Sequence, residues 1–329
     1  MFRPFGWLFA VALLCGCNPL TTQTRTVQVQ QLAAHPVPPT ATYAVVVPPT
    51  SIGAAQLTDG IRIPGLTKVT TPDTADIVIT ASVGRATVAD LKVGSSQVER
   101  IISSGGPSEV TVYSYTGTIT VPNSLHIRSK AHGETTASDA PSRQDLTFAK
   151  DPGTNQRFTD PRALEWSFNQ ARANLTQQAE LASVRDLQAY ANRLATDQFT
   201  AHQDQVFFKL TTAHENDPRF AQAISLFDQA VVGAPTDATG RATRMQPALD
   251  LWQQIVDFPV GDDDAAKNAA KGAALFGQAV GLYLIGRLDD AERALIAAQA
   301  LGVQGSDARS LTFKISEQRK RVAAQGTTP

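Results

Sequence analysis

Cysteine is almost missing from this chain of 329 residues: there are two, Cys15 and Cys17, and none after them. The body of the chain therefore lacks the makings of a disulfide scaffold, a zinc ribbon, a thiol redox centre or a cysteine hydrolase. An excess of either charge is missing too. The 29 Lys+Arg residues stand against 30 Asp+Glu, a net charge of −1, which leaves no basic footprint for nucleic acid and no acidic tail. Charged residues make up only 18%, yet hydrophobic residues reach 42%, so the chain is not a fully disordered one. No apolar run approaches the roughly 20 residues that a spanning helix needs. The length allows about two domains of about 150 residues each.

What is present begins at the N-terminus. Arg3 precedes a ten-residue apolar run, Phe5 to Leu14, the length of a signal-peptide core. Leu14-Cys15-Gly16-Cys17 follows it and resembles the lipobox of bacterial lipoproteins: an aliphatic residue, a small residue at −1, then the cysteine. The resemblance implies diacylglyceryl transfer to the Cys17 thiol, cleavage after Gly16 and acylation of the new amino group. Cys15 does not suit that part, because Leu14 would then occupy the small position. Residues 1–16 are thus expected to be a lipoprotein signal peptide, leaving 329 − 16 = 313 residues. Asn18 stands where inner-membrane retention uses Asp, which implies a lipid-anchored protein of the outer membrane that faces the periplasm. Several acyl chains, at about 0.8 kcal/mol per buried CH₂, hold far more firmly than one.

Residues 17–42 are rich in Thr, Gln and Pro and read as a flexible tether, with Thr24 to Leu32 able to add a strand. From 43 to 135 a β-rich domain is expected. Its strands are Tyr43–Val47, Ala75–Val83, Glu109–Val121 and Leu125–Ile127, with Gly- and Ser-rich connectors at 94–96 and 103–108. Residues 136–160 are polar and aperiodic, a linker. Asp160-Pro161 opens an amphipathic helix over the region 161–215, with Leu164, Phe168, Ala171 and Leu175 on one face and a drift of the stripe after Val184. Val206–Leu210 fits a strand by composition and a helix turn by context. The stretch 216–323 is helical, with helices near 217–232, 246–257, 266–285, 288–301 and 306–323 and a loop over 233–245. Residues 324–329 form a disordered tail. The fold class is α+β, a β-rich N-terminal domain followed by an α-helical C-terminal domain.

Residues 279–298 resemble a tetratricopeptide repeat. Ala279 takes the small position of the first helix, Leu282 the usual tyrosine, and Gly286 the turn glycine. Ala291 and Ala298 take the small positions of the second helix, and Leu295 its aromatic. Alanine lets two helices approach closely and glycine tolerates the positive φ of a tight turn. Ala248, Trp252 and Ile255, followed by Pro259, resemble the second helix of a preceding repeat. The resemblance covers about a third of the chain and implies a tetratricopeptide-like domain that docks a protein or peptide partner.

No catalytic motif stands out. The five histidines, His35, His126, His132, His202 and His214, have no metal spacing and read as solvated surface residues. Asp262-Asp263-Asp264 suits a helix N-terminus better than calcium. No nucleophile elbow, phosphate loop or acid–base pair is marked, so no cofactor, metal or catalytic residue is expected. The leading expectation is a non-enzymatic envelope adaptor or assembly factor, with Gln278, Arg287 and Arg293 as candidate partner-binding residues and Trp252, Phe276 and Tyr283 as aromatic candidates. A second is a β-rich domain that binds a ligand or assembles a polymer, with Tyr113 and Tyr115 as a stacking platform. An envelope hydrolase comes third.

Overall fold

The computed structural model describes residues 20–102, 106–214, 217–232, 237–303 and 305–326. A β-rich region is followed by a helical one, as expected for an α+β chain. The chain divides into two compact units, and the division is not sequential: among the described residues, 20–32 belong with those from 202 to 326, while Ala33–Ala201 make the other unit. The expected boundaries at 43–135 and 216–323 are corrected accordingly.

In the discontinuous unit, β1 (Thr21–Gln31) pairs antiparallel with β10 (His202–Ala213), Val27 opposite Val206. The expected tether over 17–42 is therefore strand for much of its length. Val27 and Val29 alternate with polar residues, so one face of β1 is buried while the other stays wet. The same alternation in Val206, Phe208 and Leu210 settles that stretch as strand. Among the described residues, five helices complete the unit: α3 (Arg219–Val231), α4 (Ala238–Asp257), α5 (Asp264–Leu284), α6 (Leu288–Ala300) and α7 (Ser306–Gly326). Helices α3 and α5 lie against β10, and consecutive helices pack on each other. Helix α4 starts at Ala238, inside the expected loop, because Asp237 accepts the Gly240 N–H at 2.9 Å and Pro247 is accommodated within the helix. Helix α7 continues into the expected tail.

The continuous unit holds two sheets. One has five strands in the order β3 (Thr67–Lys68), β2 (Thr42–Val46), β4 (Ile77–Val83), β7 (Asn123–Ser129), β8 (Gly133–Ser138). Here β2 runs parallel to β3 and β4, with α1 (Ala54–Gly60) in the crossover. The other sheet is antiparallel, β5 (Thr87–Ile102), β6 (Gly106–Val121) and β9 (Ser142–Phe148). The expected linker, 136–160, thus contains strand, and the expected connectors at 94–96 and 106–108 lie within the β5–β6 pair. Residues 103–105 fall outside the described residues.

Helix α2 (Pro161–Phe199) runs unbroken for 39 residues and packs on strands of both sheets. Asp160 caps it, accepting the Arg162 N–H at 3.0 Å, and Pro161 sits in its first turn. The drift of its apolar stripe has a physical cause. Its first turns meet the aromatic residues of the three-stranded sheet, with Phe168 and Tyr115 rings 4.9 Å apart. Its last turns meet β8, where buried Gln198 accepts from Thr135 Oγ1 and donates to Thr136 Oγ1.

Candidate functional site

The repeat-like residues come together in the α5–α6 hairpin. Asp263 caps α5, accepting the Ala266 N–H at 2.7 Å, the role expected of the aspartate triplet. Gly286 closes the turn at φ +78°, a conformation that side-chain-bearing residues rarely adopt. Ala279, Ala291 and Ala298 are fully buried, and Leu282 and Leu295 join them in one hydrophobic cluster. Trp252, Phe276 and Tyr283 belong to that same cluster, so all three are core residues rather than exposed aromatics. Burial pushes the Tyr283 phenol up to about 12, with Asp204 as the secondary cause.

The expected docking residues need correction. Gln278 is buried, not exposed: its Nε2 donates to Gln253 Oε1 at 2.9 Å and to the Leu249 carbonyl at 3.4 Å, so it ties α5 to α4. Arg287 and Arg293 do reach solvent, but both are ion-paired with Asp290. The Arg287 guanidinium is the first reason that the Asp290 carboxyl lies below its ordinary value, with Arg293 adding to it. The trio keeps one net positive charge, but both guanidiniums are held in i,i+3 ion pairs on the helix surface rather than standing free. Tyr113 and Tyr115 pack against the core of the continuous unit and form no exposed platform.

A groove of the discontinuous unit lies where the sequence suggested a tether. It measures about 670 Å³ and is walled by Thr21, Gln23 and Arg25 of β1, the end of β10, and Ser225, Asp228 and Val232 of α3. Arg25 Nε donates to Asp228 Oδ1 at 2.9 Å, linking strand to helix across 203 residues. Among the described residues β1 and β10 pair only with each other, so neither outer edge of the ribbon carries a third strand. The signal for this site was present in the period-2 run Thr26-Val27-Gln28-Val29-Gln30, outweighed by the surrounding Thr, Gln and Pro.

The histidines are not all solvated. His214 is buried against Phe220, ring centroids 6.1 Å apart. His126 lies between two carboxylates, Glu134 at 3.1 Å and Asp139 at 3.0 Å. Among the described residues no group of three or more His, Cys, Asp or Glu is placed to hold a metal ion. No described helix is long and apolar enough to cross a membrane. Cys17 and the rest of residues 1–19 lie outside the described residues.

No protein-family model, no curated protein and no solved structure matches the chain.

Proposed function

We propose that this chain is a lipid-anchored protein of the bacterial cell envelope, held through Cys17, whose discontinuous helical unit binds an extended segment of an envelope partner without catalysing a reaction. The observation that carries the docking half is the two-stranded β1–β10 ribbon, which has no third strand among the described residues, beside the groove on α3. An unpaired edge binds an extended peptide by main-chain hydrogen bonds, and a flanking groove takes its alternate side chains. The buried alanines of the α5–α6 hairpin fit the tetratricopeptide-like reading, in which close helix packing builds the support.

The anchor half rests on the lipobox-like Leu14-Cys15-Gly16-Cys17 and gains a geometric consequence. Three residues separate Cys17 from Thr21, where β1 begins, so the two lie at most about 14 Å apart. An acylated Cys17 would therefore hold the ribbon at the membrane surface rather than on a long tether. A second reading places the function in the β5–β6 hairpin, whose outer part has no third strand among the described residues: β9 pairs with β6 from Tyr115 to Val121. Such an arm offers edges for assembly with further copies or with a polymer-handling partner.

Two experiments separate these readings. Palmitate labelling should mark the wild-type protein and not C17A, which should also leave the membrane fraction; labelling that survives in C17A overturns the anchor. Photo-cross-linkers at Gln23 and Ser225 should trap one dominant envelope protein in cells. Links formed only from positions on the β5–β6 arm would move the function there.

A further inference from the structure

A second cavity in the discontinuous unit contains chemistry that docking does not use. It holds about 160 Å³ and is lined by Gln30 of β1, Arg241 of α4, Tyr283 and Ile285 at the end of α5, Gly286, and Gln318 of α7. Arg241 is 3% exposed and forms no ion pair among the described residues. Its Nε is buried without a hydrogen-bond partner, as are Gln30 Oε1 and Gln318 Oε1. A guanidinium has five donors and no acceptor, and it keeps its charge, so burying it unpaired is costly. The nearby carboxylate of Asp237 is engaged elsewhere, on the Gly240 N–H and Arg244. Desolvation, then the neighbouring Arg244, pulls the Arg241 pKa below the ordinary arginine value, against a smaller opposing pull from Asp237.

The geometry points to a binding site for a small monocarboxylate that carries a hydrogen-bond donor next to its carboxylate, with Arg241 taking the carboxylate and the Gln30 and Gln318 oxygens taking the donor. One cation matches one negative charge, and the planar guanidinium fits a carboxylate with two parallel bonds. The wall disfavours an all-acceptor dianion such as sulfate, because two amide oxygens and the negative end of the α5 dipole face the same space. At about 30 Å³ per water-sized group, the cavity has room for about five non-hydrogen atoms, the size of glycolate. The same chemistry occurs in a free hydroxy or amino acid and in the C-terminal residue of a peptide, whose N–H flanks its carboxylate. This inference is independent of the anchor and of the ribbon groove.

The test uses the full chain purified in detergent and titrated calorimetrically with sodium glycolate, sodium acetate, sodium sulfate, and a tripeptide with a free or amidated C-terminus. Glycolate should bind saturably and at least tenfold more tightly than acetate, with sulfate no better than chloride. R241Q should lose glycolate binding, and Q318M should bring glycolate down to the affinity of acetate. Binding of the free tripeptide and not the amidated one, with glycolate weak, would make the ligand a chain terminus. Glycolate bound as tightly as the tripeptide would make it a free acid. Should R241Q fail to fold, the shift of the Arg Nε–H resonance of the wild type on adding glycolate decides. No saturable binding of glycolate or the tripeptide, unchanged binding in R241Q, or equal binding of sulfate overturns the proposal.

Discussion

Gly277 of α5 lies so close to Trp252 of α4 that a Cβ at Gly277 would stand 2.6 Å from the indole Cε2. One turn on, a Cβ at Gly281 would meet Leu249 Cδ2 at 2.9 Å. The two glycines set the distance at which α4 and α5 cross, and the fully buried indole depends on it. Forcing a methyl group into a packed core costs about 1–3 kcal/mol, against about 1 kcal/mol gained from helix propensity. G277A is therefore expected to lower stability by about 1–2 kcal/mol in chemical denaturation, and W252L in the same chain should return part of the loss. A G277A protein as stable as the wild type would show that the helices can part at no cost.

Residues 21–31 test whether the segment is strand or tether. Val27 is 1% exposed, opposite Val206 in the ribbon. V27D buries an unpaired carboxylate and is expected to cost more than about 3 kcal/mol. T24D, on an exposed position of the same strand, should change little. Thermal unfolding of both variants decides. Equal melting temperatures would mean that β1 contributes nothing to the helical unit.

Arg219 clamps the end of α4 while satisfying a buried carboxylate. Asp217 is 1% exposed and accepts from Arg219 Nε at 2.8 Å and Nη2 at 2.7 Å. The same guanidinium donates to the carbonyls of Gln254 and Phe258. R219A would strand the Asp217 charge, so a loss of about 3 kcal/mol is expected. The double variant R219A/D217A should recover much of it. A single variant no worse than the double would refute the clamp.

His126 gives the continuous unit a pH dependence. Its hydrogen bonds to Glu134 and then Asp139 favour the imidazolium and raise its pKa above 6.5. A pKa raised in the folded state contributes stability that is whole below the unfolded value and is lost as pH rises through the folded one. Melting temperature should therefore decline between about pH 6 and about pH 8, less steeply in H126Q. A histidine resonance that titrates below 6.5 would remove the effect.

Much of the fold was legible locally. Helix starts were marked by Asp160-Pro161 and by the aspartates before α5, because a cap needs only neighbours in the chain. Strands β2, β4 and β6 announced themselves through β-branched runs of the right length. Helix α4 was legible only from residue 246 on, since the Asp237 cap is separated from the apolar stripe by a polar first turn and an internal proline. Strands β8 and β9 were missed because their sequences are polar, and only pairing with β7 and β6 makes them strand.

The sequence by itself determined the α+β class, the helical character of the C-terminal half and the absence of cysteine chemistry beyond residue 17. Composition, periodicity and capping are properties of short windows, and short windows suffice for these. Tertiary structure decided everything that joins distant windows. It united β1 with β10 and placed Arg25 on Asp228. It buried Gln278, paired Arg287 and Arg293 with the one carboxylate of Asp290, and enclosed Arg241 between β1 and α7. Burial and charge pairing belong to the packed chain, and the same glutamine or arginine reads alike in sequence whether water or a core surrounds it.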